Sequence, residues 1–147
     1  MAFSQYFATQ ILDWSKGTTF PSALSSVHVT LHTADPGTDG TTSDVTNTIA
    51  GSSIYSKSLA SSSLGAVGAA GGGGFEIKNT AVLQITASAV NASTLTVTHF
   101  GIWDAACSQN HTTSENFIAS GPLTTSVSIV SGDTVQFNTG DMSIKVV

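Results

Sequence analysis

Two histidines four residues apart are the first candidates for chemistry in this chain. His28 and His32 have the spacing that brings two metal ligands together on a helix. The residues around them, 27–33, alternate apolar and polar side chains, which is typical of a strand. On a strand the two imidazoles share a face but lie about 13 Å apart, because each residue advances about 3.3 Å. We therefore predict no zinc site and expect hydrogen-bonded structural or surface histidines.

Three aspartates lie in the loop-forming stretch that follows. Asp35, Asp39 and Asp44 stand among turn-forming residues, and Ca²⁺ takes several oxygen ligands from loops of this kind. Their spacing does not match the calcium loop that joins two helices, and no glutamate closes it. We therefore predict no metal ligand here and expect the Asp35 carboxylate to bind nearby backbone N–H groups in a turn.

The hydroxyl and thiol groups do not form the pattern of an activated nucleophile. Serine is abundant, yet no Gly-x-Ser-x-Gly turn occurs, and the glycines at 71–74 are not followed by Lys-Ser or Lys-Thr. A carboxylate pair for glycoside hydrolysis stays open, because the separation of such a pair is spatial. With so few acidic residues, we expect no enzyme, no catalytic residue and no cofactor.

Charge is scarce in this chain. Only 9% of its 147 residues are charged, against about 25% in an ordinary soluble domain, and none is arginine. Four lysines in a chain of net charge −5 cannot supply the phosphate contacts on which nucleic-acid binding depends. A surface poor in ionised groups suits permanent contacts with other proteins, because interface centres are depleted of charge. We therefore expect a protein that assembles and has no nucleic-acid partner.

The sequence gives no sign of secretion or of a membrane span. The N-terminal residues lack the basic and apolar regions of a signal peptide, and no apolar run is long enough to cross a bilayer. We therefore expect synthesis in a cytoplasm and no membrane partner. The single cysteine, Cys107, excludes an internal disulfide, so packing, backbone hydrogen bonds or oligomerisation must stabilise the fold.

Residues 4–16 have the periodicity of a helix. Ser4 is placed to cap its start and Gly17 to end it. Its apolar residues recur at spacings of three and four and are predicted to form one stripe: Tyr6, Phe7, Ile11, Leu12 and Trp14. The stripe either packs on the sheet of its own domain or docks on a neighbouring subunit, and the sequence leaves both arrangements open.

The rest of the chain is predicted to be β-structure. Residues 27–33 form a half-buried strand, with Val27, Val29 and Leu31 toward the core, and the polar run to residue 48 is a surface loop. A short second strand is expected from Ser53 to Ala60, centred on Ile54 and Tyr55. No regular element is expected in the Ser/Gly-rich residues 61–74.

Further strands are expected after residue 74. Residues 81–90 and 94–103 are predicted to form a hairpin across a turn at 91–93. Shorter strands are predicted at 75–77, 117–120, 126–130, 134–137 and 142–147, with a turn at 131–133. About nine short strands behind one N-terminal helix predict a mainly β fold, an antiparallel and jelly-roll-like β-sandwich. We expect residues 1–20 to form the helix and its lead-in, and 21–147 to form one sandwich domain with a loop at 61–74.

Three segments carry a resemblance to known proteins. They are VTLHTADPG at 29–37, VTHFGIWDAA at 97–106, and GPLT at 121–124 leading to SGDTVQF at 131–137. In this order, behind an N-terminal helix, they resemble a family of small virion structural proteins of tailed bacteriophages. Members are described as tail-fibre-like proteins or as capsid decoration (cement) proteins.

The resemblance implies a capsid decoration protein at the capsid surface, which binds and stabilises the lattice of the major capsid protein as a homo-oligomer, with a trimer expected. A tail or tail-fibre component is the alternative, and a carbohydrate-binding module is a rival from another class. A subunit or capsid interface is expected to use large apolar side chains: Tyr6, Phe7, Trp14, Phe100 and Trp103. For Trp103, the core is the competing location.

Overall fold

A computed structural model describes residues 3–50, 54–87, 94–111 and 114–146. Its helices and strands, in chain order, are α1 (Gln5–Ser15), β1 (Ser26–His32), α2 (Thr46–Ala50), β2 (Lys57–Ala60), β3 (Gly68–Ala69), β4 (Phe75–Lys78), β5 (Leu83–Thr86), β6 (Leu95–Trp103), β7 (Phe117–Ile129), β8 (Thr134–Phe137) and β9 (Ser143–Val146). The predicted mainly β, antiparallel fold with a helix at the N-terminus is confirmed. Neither helix within the described residues has the length and apolarity that crossing a bilayer requires.

Helix α1 begins and ends where its capping residues predict. The Ser4 hydroxyl accepts a hydrogen bond from the Phe7 backbone N–H at 3.0 Å, which satisfies a donor that the first helical turn leaves free. Gly17 follows the last turn with a φ of +94° and donates its N–H to the Trp14 carbonyl at 2.9 Å. A glycine is favoured there because the left-handed conformation strains other residues.

The largest sheet contains four antiparallel strands in the order β2-β1-β6-β7. β1 and β6 are paired so that Val29 lies opposite Ile102 and Leu31 lies opposite Phe100. Each of these four side chains is at most 2% exposed. The centre of this sheet therefore forms one side of the hydrophobic core.

Two smaller antiparallel sheets complete the fold, one with the order β3-β4-β9 and one made of β5 and β8. Leu83 and Ile85 of β5 and Val135 and Phe137 of β8 point into the same core as the main sheet. Phe137 meets Phe100 edge to face with ring centroids 6.5 Å apart. The main sheet and the β5–β8 pair therefore enclose the core in a sandwich-like arrangement.

Asn79 ties the β3-β4-β9 sheet to the turn before β9. Its side-chain amide donates to the carbonyls of Ala81 at 2.9 Å and Asn138 at 2.7 Å. Its oxygen accepts from the backbone N–H groups of Gly140 at 3.1 Å and Met142 at 2.9 Å. All four hydrogen bonds that an asparagine side chain can make are formed, although the residue is only 1% exposed.

The hairpin predicted from residues 81–90 and 94–103 is wrong. β5 pairs with β8 in register Leu83 to Phe137, whereas β6 lies between β1 and β7. The predicted turn at 91–93 lies outside the described residues. Adjacent strands in the sequence therefore belong to different sheets, because each has a better apolar partner far along the chain.

The first strand and the loop after it are more buried than predicted. Thr30 and His32 on the polar face of β1 are both 0% exposed, so the strand is covered on both faces. The loop that was predicted to lie on the surface contains the short helix α2, whose Ile49 is in the core. Thr46 is also fully buried, and its hydroxyl accepts from the Leu31 N–H at 2.8 Å.

Three further expectations are corrected in detail. The second strand begins at Lys57, so that Ile54 precedes it and is 44% exposed. The Ser/Gly-rich stretch contains a 3₁₀ turn at Ser61–Ser63 and the strand β3, which pairs with β4. The two strands expected at 117–120 and 126–130 are one long strand, β7. The turn at 131–133 is confirmed, with Gly132 at a φ of +95°.

Candidate functional site

Phe100 and Trp103, two of the five predicted interface residues, lie inside the chain. Each is 2% exposed. Phe100 belongs to the main core, and Trp103 forms a second cluster with Cys107 and Phe117. Their apolar area is already buried by the fold itself, so neither presents its side chain to a partner in this conformation.

The indole of Trp103 instead begins a buried chain of hydrogen bonds. Its Nε1–H donates to the Thr30 hydroxyl at 3.0 Å, and the Thr30 Oγ1 lies 2.7 Å from the His32 Nε2. The His32 Nδ1 lies 2.9 Å from the Thr42 carbonyl oxygen. Because a carbonyl can only accept, Nδ1 carries the proton, and the neutral Nε2 accepts from Thr30. Each group in the series donates to the next, from Trp103 to the backbone of residue 42.

His32 is fully buried within this network. Burial lowers the pKa of His32 below its ordinary value, although the hydrogen bond to Thr42 and the charge of Asp44 act in the opposite direction. Gly101 of β6 permits the close packing. A Cβ atom at this position would lie 2.5 Å from the Thr30 Oγ1 and 2.9 Å from the His32 Nε2.

An imidazole–carboxylate pair lies on the other side of Trp103. The His111 ring stacks on the indole with centroids 4.2 Å apart and an interplanar angle of 5°. Its Nε2 is 2.8 Å from the Asp44 Oδ2. The Asp44 Oδ1 accepts from the Thr46 backbone N–H at 2.8 Å and from the Thr46 hydroxyl at 2.7 Å. Burial raises the pKa of Asp44, but the hydrogen bonds from His111 and Thr46 outweigh it and lower the pKa below its ordinary value.

The backbone around this pair is strained. Ser43, Asn110 and His111 have φ values of +57°, +60° and +50°, a conformation that costs energy in residues with a side chain. An imidazole oriented by a carboxylate is the usual arrangement for proton transfer. Within the described residues, however, the buried His111 Nδ1 has no hydrogen-bond partner. The pair therefore joins the loop before β7 to the loop after β1, and Tyr55 and Ser108 line the same small pocket.

The three loop aspartates bind their own turns. Asp35 accepts from the Gly37 N–H at 2.9 Å, Asp39 from the Thr41 N–H at 3.2 Å, and Asp44 from the Thr46 N–H. The predicted turn role of Asp35 is therefore confirmed. Across residues 3–50, 54–87, 94–111 and 114–146, no group of three or more histidine, cysteine or acidic side chains is arranged to hold a metal ion.

Tyr6, Phe7 and Trp14, the other predicted interface residues, lie on α1 and face different surroundings. Tyr6 is half-buried beside an open, mixed-polarity cleft of about 460 Å³, which lies between α1, the loop at 38–41 and the start of β7. Phe7 is half-buried between Phe3, whose ring centroid is 5.0 Å away, and Phe20 at 6.1 Å. Trp14 is 62% exposed. Their role as an interface stays a prediction.

Phe7 also borders a groove that the sequence did not single out. We call it the apolar groove; its volume is about 240 Å³, and it is lined by Phe3, Phe7, Leu64, Val67, Phe75, Glu76, Ile77, Ile118, Ile144 and Val146. Val67 is 67% exposed and Phe75 is 61% exposed. The alternation of apolar and charged residues along Phe75–Lys78 could have indicated that this strand has an apolar face. The sequence pattern predicts only a brief strand at residues 75–77.

Comparison with known families gives one match. The model of the family described as Podophage GP4 fiber I protein gp80 matches residues 2–145, which is nearly the whole chain. No curated protein matches the chain with significance. The chain therefore belongs to this fibre protein family and is a structural protein of the phage virion. The expected resemblance to phage structural proteins is confirmed at this level, and the family description names a fibre, not a capsid decoration protein.

Proposed function

We propose that this member of the fibre family is a non-enzymatic structural subunit of a phage fibre, which works by binding other virion proteins through uncharged surface. The observation that carries the proposal is the family match over residues 2–145. A fibre subunit needs a stable body and surfaces for assembly, and it needs no catalytic centre.

Most side chains that could take part in chemistry support a structural role, because their polar atoms are bound within the fold; the His111 Nδ1 is an exception. Both nitrogens of His32 have partners, and the loop aspartates accept from their own turns. Asp104 binds the backbone and side-chain N–H groups of Asn116 at 2.7 and 2.8 Å. Glu115 accepts from the backbone and hydroxyl of Ser108 at 2.9 and 2.7 Å. These groups stabilise loops, and such use competes with binding a substrate.

The outer surface supports assembly in a different way. The chain has few charges, and twelve large apolar side chains are exposed among its described residues: Ile11, Leu12, Trp14, Phe20, Leu24, Ile54, Val67, Phe75, Val82, Val127, Val130 and Val146. Aromatic residues are enriched at protein interfaces, whereas lysine and the acidic residues are depleted. Several contacts of this kind, repeated between linked copies, add to a strong attachment even if each is weak.

A role in a fibre and a role in capsid decoration predict different partners for this chain. A decoration protein would bind the major capsid protein at many lattice positions on the capsid surface, whereas a fibre subunit would bind a fibre attachment protein and its own copies. The homo-oligomer expected from the sequence, a trimer, is compatible with either. We favour the fibre because the matching family is described as a fibre protein.

The number of copies in each virion tests the proposal. Mass spectrometry of purified particles would give the ratio of this chain to the major capsid protein, and gold-labelled Fab fragments would locate it by electron microscopy. A fibre predicts a small fraction of the capsid copy number and label on projecting fibres. A ratio that approaches the capsid copy number, with label over the shell, would establish decoration and overturn the fibre. Absence from purified particles would overturn any virion role.

A further inference from the structure

Helix α1 carries a narrow apolar stripe that is continuous with the apolar groove. Residues four and seven positions apart share a helix face, so Phe7, Ile11 and Trp14 lie in line. Leu12 lies about 140° around the helix from Phe7, because each residue turns by about 100°. The five-residue stripe predicted from the sequence is therefore narrower, and Leu12 is outside it. Phe7 belongs both to this stripe and to the groove.

The sheet beside the groove has one apolar and one charged face. Phe75 lies opposite Val146 and Ile77 opposite Ile144, which places these four side chains on the groove side. The residues between them face the other way, where Lys78 and Lys145 pair with Glu76 at 3.0 and 3.6 Å. Ile144 packs against the core, but Phe75 and Val146 are 61% and 48% exposed. The apolar face is therefore covered at one end only.

We call the helix stripe, Phe20 and the apolar groove together the apolar strip. The exposed parts of Trp14, Phe75 and Phe20 amount to roughly 350 Å², since aromatic side chains offer about 150–250 Å² each. Ile11, Val67 and Val146 bring the strip to roughly 600 Å², the upper limit for the largest patch of a typical monomer. This area approaches the roughly 800 Å² that each partner buries in a standard interface.

The dimensions of the groove favour side chains as its occupants. Its volume of about 240 Å³ is below the roughly 300–1,000 Å³ of small-molecule pockets. Glu76 is the one charged residue among the described residues of its lining. The Glu76 carboxylate faces the other side of the sheet, where it is bound to Ser143 at 2.7 Å and to the two lysines. An apolar side chain from another protein surface therefore fits it better than a polar ligand does.

The charge distribution favours a second copy of this chain as the source of that side chain. The elements that carry the strip, α1 with its cap Lys16 together with β4 and β9, contain three of the four lysines and two of the nine acidic residues. Their net charge is +1, so the rest of the chain, with a total of −5, carries −6. Lys78, Lys145 and Glu76 pair on the other face of the β4–β9 sheet, so the strip itself is nearly free of charge. Two copies of an acidic chain therefore repel each other least along the strip.

We propose that a second copy of this chain covers the apolar strip, with Trp14 of one copy inserted in the apolar groove of the other. Trp14 lies about 10.5 Å along the helix axis from Phe7, at 1.5 Å per residue. When two α1 helices pair antiparallel, each Trp14 therefore lies opposite the Phe7 of the other copy. This reciprocal contact has twofold symmetry and closes as a dimer, so it differs from the trimer that the resemblance implies. This inference rests on the proposed function, since it supplies the contact between fibre subunits.

Self-association of matched variants tests the contact. The mass of the full chain would be measured across a concentration series by sedimentation equilibrium, for the natural sequence, Trp14→Ala and Leu12→Ala. Trp14 and Leu12 are similarly exposed, at 62% and 65%, on the same helix, but only Trp14 lies on the strip. We expect Trp14→Ala to weaken association by more than about tenfold, as truncation of a hot-spot residue does, and Leu12→Ala to leave it unchanged.

A crosslinking experiment reports the same contact directly. A short bismaleimide should join Trp14→Cys of one copy to Phe75→Cys of another when the two variants are mixed, and should not join Leu12→Cys to Phe75→Cys. The native Cys107 is 9% exposed and is a poor competitor. Because Trp14, Leu12 and Phe75 are largely exposed, these variants are expected to keep the circular dichroism spectrum of the natural chain.

The outcomes separate this inference from the proposed function. A natural chain that stays monomeric, or equal weakening by Trp14→Ala and Leu12→Ala, overturns the inference, even if the protein is found in virion fibres. Association that depends on Trp14 supports the inference. If the chain associates in this way but is absent from purified virions, the proposed function fails and the contact stands.

Discussion

Replacing Gly101 by alanine should strongly destabilise the fold, although it adds a single methyl group. Gly101 lies in β6 between Thr30 of β1 and Ser120 of β7. The new Cβ would lie 2.5 Å from the Thr30 Oγ1, 2.9 Å from the His32 Nε2 and 3.1 Å from a ring carbon of Phe117. Thr30 and His32 are 0% exposed and hydrogen-bonded, so they cannot move aside without breaking the network.

The cost has two parts. Overpacking a well-filled core by one methyl group costs about 1–3 kcal/mol. Displacing the Thr30 hydroxyl leaves the Trp103 Nε1–H or the His32 Nε2 without its partner, which costs about 1–3 kcal/mol more. We therefore expect the free energy of unfolding to fall by about 2–6 kcal/mol, out of a total of about 5–15 kcal/mol for a typical domain.

Urea unfolding followed by far-ultraviolet circular dichroism would measure this loss, with Gly68→Ala as the matched control. Gly68 also lies in a strand, but a Cβ there would meet nothing within 4 Å, so its stability should stay within about 0.5 kcal/mol. In a Thr30→Ala background, Gly101→Ala should cost less, because the nearest clashing atom has been removed. If Gly101→Ala proved as mild as Gly68→Ala, the close-packed network would not exist as described.

Four further outcomes are expected. Asn79→Asp should lower the free energy of unfolding by about 3 kcal/mol or more, because the carbonyls of Ala81 and Asn138 would lose the Asn79 amide as donor and face a carboxylate. An unchanged urea midpoint would contradict this. The free energy of unfolding should fall as the pH drops through the ordinary histidine pKa of 6.5, because His32 takes up a proton in the unfolded chain more readily than in the buried site. Urea titrations at several pH values would measure this slope, and His32→Gln should flatten it. An unaltered slope in His32→Gln would refute this role of His32. A second loss of stability should follow below the ordinary aspartate pKa of 3.8, because the native pKa of Asp44 is lowered and protonation breaks its hydrogen bonds. Asp44→Asn should be less stable at neutral pH and should lose less stability on acidification. Burial, with nearby acidic groups, raises the pKa of Cys107 to about 12. A thiol reagent at neutral pH should therefore label the chain only after urea unfolding. Rapid labelling of the native chain would show that the Cys107 thiol is accessible to solvent.

The local features of this protein were predictable from the sequence because neighbouring residues produce them. Ser4 and Gly17 bound α1 as expected, since capping depends on side chains and backbone conformations within one turn. The turn at 131–133 and the mainly β character follow from turn residues and alternation in the same way. The low charge and the absence of arginine also indicated an assembling protein before any fold was known.

The partners of each strand and the buried network were decided only by the tertiary structure. β5 pairs with β8 and not with the neighbouring β6, because pairing is chosen by the apolar surface that the whole core can bury. Trp103 binds Thr30 across 73 positions, and His111 binds Asp44 across 67, which no local pattern encodes. The exposure of Trp14 likewise depends on how α1 packs against β7. Periodicity shows that a side chain is apolar and which face it shares, but only the packed fold shows whether that face is already covered.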